Sequence, residues 1–84
     1  METRIAVIAV IVRSETGNVD RLNDLLSKYS EYIIGRMGIP YRKRGVNIIS
    51  IAVDAPPEMI SALSGKLGRL EGISVKTAYA PAEA

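Results

Sequence analysis

Residues Ile5–Val12 read Ile-Ala-Val-Ile-Ala-Val-Ile-Val, eight in a row without a polar side chain. Successive residues of a strand point to opposite faces, so an unbroken apolar run is apolar on both faces. Such a strand needs cover on two sides. The remainder of this chain of 84 residues offers helical segments enough for one side. The other side calls for a second copy of the protein or for a ligand.

Composition narrows the choice. A chain of this length forms one domain, here placed at residues 1–80, with Pro81 to Ala84 as a short tail. It buries only about 60% of the surface its unfolded form exposes, so added stability must come from packing or oligomerisation. The sequence contains no Cys. That excludes a disulfide framework, a thiolate nucleophile and a Cys-ligated cluster or zinc. It also contains no His, which removes the commonest metal ligand and the commonest general base near neutral pH. No cofactor and no metal are therefore expected. Lys and Arg total 11 against 9 Asp and Glu, a net charge of +2, too mild to imply nucleic acid. Arg4 ahead of an apolar run mimics a signal peptide, but Arg13 and Glu15 follow at once and no small-residue cleavage pattern closes the run. Nothing approaches the ~20 apolar residues of a membrane span. The expected location is the cytoplasm, without a membrane partner.

Taken in order, strand one covers about Thr3–Arg13, and Ser14 to Asn18 form a loop of turn residues. Asn18 is a plausible N-cap, with Asp20 and Asp24 in the early turns. Leu22, Leu25, Leu26, Tyr29 and Ile33 recur at helical spacing and predict a helix over Val19–Tyr32. Strand two covers Ile34–Tyr41. Pro40 lacks a ladder donor, so that strand lies at an edge or bulges there. Arg42-Lys43-Arg44-Gly45 is a hairpin turn into strand three, Val46–Asp54. In that strand Ile49, Ile51 and Val53 share one face, and Ile48, Ser50 and Ala52 the other. Pro56 and Pro57 open a second helix, whose buried stripe is Met59, Ile60, Leu63, Leu67 and Leu70. Gly65 and Gly68 each cost about 1 kcal/mol relative to Ala inside a helix and suggest close packing against a neighbour. Gly72 suits the C-terminal cap, and strand four covers Ile73–Tyr79. The order is βαββαβ. It predicts an α+β, ferredoxin-like fold: a four-stranded antiparallel sheet with two helices on one face and strands one and three central.

The sheet face away from the helices is the expected oligomer face. Strand one would supply Ala6, Ile8, Val10 and Val12, or else Ile5, Val7, Ala9 and Ile11, with Ile48, Ser50 and Ala52 joining from strand three. The first set is taken as the expectation. Aliphatic and small residues where a wet face would be polar mark an interaction surface, most simply one of a homodimer or tetramer.

Chemistry-bearing groups are sparse. Arg36, Arg42, Lys43 and Arg44 form a basic patch, readable as an anion contact or as charges guarding an open edge. The central strands lack the aromatics on which RNA-recognition domains of this fold stack bases, so nucleic acid is disfavoured. Ser64-Gly65-Lys66-Leu67-Gly68 lacks the spacing of a phosphate loop and falls within a helix. Glu15, Thr16, Gly17 and Asn18 precede a helix N-terminus, which can hold an anion, and with Arg36 they form the candidate ligand site. No two carboxylates make an acid–base pair in the sequence, and the Gly-rich loop of an acylphosphatase is missing. No catalytic residue is assigned, and an enzyme is the least favoured class.

Ala62-Leu63-Ser64-Gly65-Lys66-Leu67-Gly68, followed by Glu71-Gly72-Ile73-Ser74-Val75-Lys76-Thr77, resembles the C-terminal half of the small iron-only hydrogenase system regulators. Ile34-Gly35-Arg36-Met37-Gly38-Ile39-Pro40 and Ile48-Ile49-Ser50-Ile51 resemble that family's middle. The resemblance implies an ACT-like domain, similar also to the C-terminal domain of the nickel-responsive repressor. ACT domains are regulatory modules that assemble through their sheets and often bind small ligands near the first loop and the domain interface. Without His or Cys, this chain cannot build the repressor's square-planar nitrogen and sulfur site. It opens directly on strand one, so no separate DNA-binding segment is expected. The expectation is a non-enzymatic regulatory module, linked to transcriptional or hydrogenase-system control. Its partners would be further copies of itself, a small-molecule effector and a protein partner. The alternatives are a ligand-free assembly module, or a weak nucleic-acid binder acting through the Arg36–Arg44 hairpin.

Overall fold

The structure, a computed structural model, describes residues 2–16 and 18–81. Strand β1 (Arg4–Arg13) leads through a 3₁₀ turn at Ser14–Thr16 into helix α1 (Val19–Lys28). A second 3₁₀ turn, Ser30–Tyr32, feeds strand β2 (Ile33–Tyr41). The turn Arg42–Arg44 joins it to β3 (Val46–Ala55), and helix α2 (Pro57–Gly68) leads to β4 (Ile73–Tyr79). The sheet is antiparallel, in the order β2-β3-β1-β4. This is the expected ferredoxin-like arrangement. Pro40 sits on edge strand β2, opposite Asn47, where its missing N–H interrupts no interior ladder. The tail residues 82–84 and Gly17 lie outside the described residues.

The core is the sandwich between the sheet and the helices. β1 contributes Ala6, Ile8, Val10 and Val12, and β3 contributes Ile49, Ile51, Val53 and Ala55. Leu22 and Leu26 close over them from α1; Ile60, Leu63 and Leu67 do so from α2. Arg42–Arg44 hands the chain to Gly45 at φ 64°, a left-handed conformation that favours glycine. The Gly45 N–H donates to the Arg42 carbonyl at 3.1 Å.

Four local expectations need correction. Helix α2 ends at Gly68 with Arg69 at its C-cap, so Gly72, at φ 79°, lies in the turn beyond rather than capping the helix. Helix α1 stops at Lys28 rather than Tyr32. Tyr29 leaves helical geometry at φ −106°, and the Tyr32 N–H donates to the Tyr29 carbonyl at 3.0 Å. Three residues per turn align residues i and i+3. Tyr29 and Tyr32 are both packed against the core. Asn18 occupies the N-cap position of α1, but its side chain does not cap the helix. Its Nδ2 donates instead to the Glu71 carbonyl at 2.6 Å, fastening the first helix to the turn before β4. Finally, Gly65 and Gly68 do not mark a close approach. A Cβ built on either would meet nothing within 4 Å, and both are exposed.

Candidate interaction face

The pairing register decides which side of β1 is open. Ile11 pairs with Ile48, Ala9 with Ser50 and Val7 with Ala52. Ile39 stands opposite Ile48, and Met37 opposite Ser50. Residues directly opposite share a face. These side chains therefore lie together, away from the helices, with Ser74, Lys76 and Ala78 completing the rows on β4.

Ala6, Ile8, Val10 and Val12, expected on the oligomer face, are instead the floor of the core, none more than 1% exposed. The reason is pairing. Val10 stands opposite Ile49 and Ile8 opposite Ile51, and those β3 residues are the helix-facing set. The open set of β1 is Ile5, Val7, Ala9 and Ile11. Ile48, Ser50 and Ala52 lie on the open face as expected. Among the described residues Ile5, Val7, Ile11, Met37, Ile39 and Ile48 all remain well exposed there, with Met37 at 61%. Charges stand at the margins: Lys76 on edge strand β4, Arg13 at one end and Asp54 at the other.

The five residues of the candidate ligand site do not converge. Glu15 is exposed and pairs with Arg13 at 3.7 Å. Thr16 closes the first 3₁₀ turn, and Gly17 lies outside the described residues. Asn18 is engaged with Glu71 as described. Arg36 belongs to the helix side of β2, where its Nη2 donates to Asn23 Oδ1 at 3.1 Å. It pairs with Ile51, five positions up β3 from Val46, so it stands roughly 17 Å along the sheet from the Ser14 turn. The same offset divides the basic patch. Arg42, Lys43 and Arg44 are exposed together in the hairpin turn, while Arg36 is remote from them and faces α1.

The structure brings together a different set. At the hairpin end of the open face a pocket of about 840 Å³ is lined by Ile11, Arg13, Ser14, Glu15, Tyr41, Arg44, Gly45, Val46 and Ile48. Its floor comes from three strands and its wall from two turns. The turns are joined by the Ser14 N–H, which donates to the Gly45 carbonyl at 3.0 Å. Of the candidate ligand-site and basic-patch residues only Glu15 and Arg44 belong to it, and Ile48 joins from the expected oligomer face. Arg13, Tyr41 and Ile48 meet because Arg13 and Tyr41 both stand opposite Val46, a fact of register rather than of composition. No group of three or more His, Cys, Asp or Glu converges among the described residues. No helix among them is long and apolar enough to cross a membrane.

Comparison with known proteins agrees with this architecture. No curated protein matches the chain. Among solved structures, that of the uncharacterized protein TM1266 from Thermotoga maritima superposes with a TM-score of 0.92 at 34% identity, covering 95% of this chain and 100% of that one. The family model TM1266-like, described as "Iron-only hydrogenase system regulator, putative", matches residues 4–77. That span includes every strand and helix except the last residues of β4, and the chain belongs to the TM1266-like family.

Proposed function

We propose that this chain is a non-enzymatic regulatory module that works as a homodimer, its two sheets packed face to face, and that responds to a small effector. The open apolar face is the single observation that carries the reading. Four strands spaced at ~4.8 Å, with residues rising ~3.3 Å, give a face of roughly 500 Å². Two such faces bury about 1,000 Å², the lower bound of a specific interface. Aligned packing of two sheets is the ordinary way to cover such surfaces. The family's description supplies the regulatory half of the reading and its link to the hydrogenase system.

Sedimentation equilibrium tests the assembly. The wild type should run at twice the 9.1 kDa chain mass, and Val7→Glu, which places a carboxylate in the apolar face, should run as a monomer with unchanged secondary structure. A wild-type monomer at high micromolar concentration would refute the dimer.

A further inference from the structure

We propose that the pocket at the hairpin end of the open face binds a small amphipathic organic anion: a carboxylate or phosphate ester carrying an apolar ring or chain. This deepens the effector half of the proposed function by giving it a place and a ligand chemistry.

The floor is apolar and open in the protomer, and through Ile11 and Ile48 it adjoins the face proposed for the dimer, so the ligand sits at the hairpin-end margin of that interface. Ile11, Ile48 and Tyr41 are 39%, 40% and 43% exposed, and Val46 lies half-buried between them. Their positions are fixed by strand pairing, Ile11 against Ile48 and Tyr41 against Val46, so a ligand meets a preformed surface. Tyr41 adds an aromatic surface for a planar ligand body. The wall is held as firmly. The Ser14–Gly45 hydrogen bond ties the two turns, and the Gly45–Arg42 bond closes the hairpin tip beneath them. An apolar surface with a few convergent polar groups, within about 300–1,000 Å³, is the general form of a small-molecule site.

The rim selects the charge of the ligand. Arg13 and Arg44 stand in the lining against one acidic residue, Glu15. The Arg13–Glu15 pair is 69% and 77% exposed, so it is a weak, solvent-screened contact that offsets one positive charge at most. The balance at the rim is positive, with Arg42 and Lys43 beside Arg44 in the same turn. A guanidinium offers two parallel N–H groups, a fit to a carboxylate or phosphate. Arg44 is the specificity residue of the site. One protomer supplies the whole lining, so occupancy does not require a dimer.

Calorimetric titration and amide chemical-shift mapping test this with phenylacetate, phenyl phosphate, phenylacetamide and acetate. Both aromatic anions should bind and shift the Ser14 and Gly45 amides. Phenylacetamide, which lacks the charge, and acetate, which lacks the body, should each bind about ten-fold more weakly or worse. The tighter of the two aromatic anions identifies the headgroup. Arg44→Gln, in an exposed turn and checked for fold by circular dichroism, should weaken both anions about ten-fold, and Arg36→Gln should not. Binding should persist in Val7→Glu, whose residue lies off the lining. Failure of both aromatic anions to bind would overturn the site. So would equal affinity for the amide, indifference to Arg44→Gln, or loss of binding in Val7→Glu. Sedimentation of the same samples reads the dimer separately, so loss of one conclusion leaves the other standing.

Discussion

Neighbouring residues Val7 and Ile8 occupy opposite faces of β1, and truncating each to alanine separates the two surfaces energetically. Ile8 is fully buried under the helices. Replacing Ile with Ala in a core costs about 2–5 kcal/mol, from lost burial and from the cavity left behind. At about 0.05–0.15 kcal/mol per residue, an 84-residue domain holds only ~4–13 kcal/mol in all. Ile8→Ala should therefore lower the melting temperature by about 10 °C or more. Val7 is 42% exposed. Deleting its two methyl groups, at about 0.8 kcal/mol each and just over half buried already, costs about 1 kcal/mol of folding stability. The part still exposed in the protomer is felt only in the dimer, about 1.3 kcal/mol over two subunits, or a ten-fold weaker dissociation constant. Urea titration followed by circular dichroism should be run on both variants at low and high protein concentration. The Ile8→Ala deficit relative to wild type should be large at both. The Val7→Ala deficit should be small when dilute and grow when concentrated. Equal losses for the two variants in dilute solution would refute the assignment of faces.

The glycines separate backbone strain from packing. Gly65→Ala lies within α2 facing open space, and should stabilise the protein by about 0.5–1 kcal/mol in urea denaturation. Gly45→Ala also meets no atom within 4 Å, yet its φ of 64° should make it cost about 1–2 kcal/mol in the same assay. Ser64 Oγ and Thr77 Oγ1, both half-buried, share a hydrogen bond of 2.8 Å between α2 and β4. Ser64→Ala should cost about 1 kcal/mol by leaving Thr77 without that partner, and Thr77→Val added to it should cost less than the sum of the two single changes.

The element order was legible because each element carries its own period. β3 is the clearest, since the small Ser50 and Ala52 alternate with the larger Ile49, Ile51 and Val53. β1 was not legible in the same way: with apolar residues at every position from Ile5 to Val12, its parity carries no inside–outside signal. The signal lay in β3 and reaches β1 only through the pairing of Ile49 with Val10. The end of α1 was missed because Tyr29 and Tyr32 fit the core at 3₁₀ spacing as well as Ile33 continues the helical stripe. Gly65 and Gly68 suggest contact from composition alone, yet among the described residues a Cβ on either meets nothing within 4 Å. The basic residues Arg36, Arg42, Lys43 and Arg44 are close in sequence. A strand separates such neighbours by ~3.3 Å per residue and by face, which is why Arg36 and Arg44 serve different places. The pocket depends on three strands meeting at one end, and no single segment announces it.

Strand β1 has a further consequence for folding. In most sheets with one wet face, sliding a strand by one residue carries charges into the interior, and that cost proofreads the alignment. Here a one-residue slip of β1 exchanges Ala6, Ile8, Val10 and Val12 for Ile5, Val7, Ala9 and Ile11, and hydrophobicity barely registers the error. The proofreading must come from side-chain shape and from the ends of the strand. Arg4 donates to the Ala80 carbonyl at 2.6 Å at one end, and the Arg13 N–H donates to the Gly72 carbonyl at 2.9 Å at the other. The frame of the central strand is thus written in its two terminal clamps, and a chain trimmed of either would fold with one fewer check on which way its middle faces.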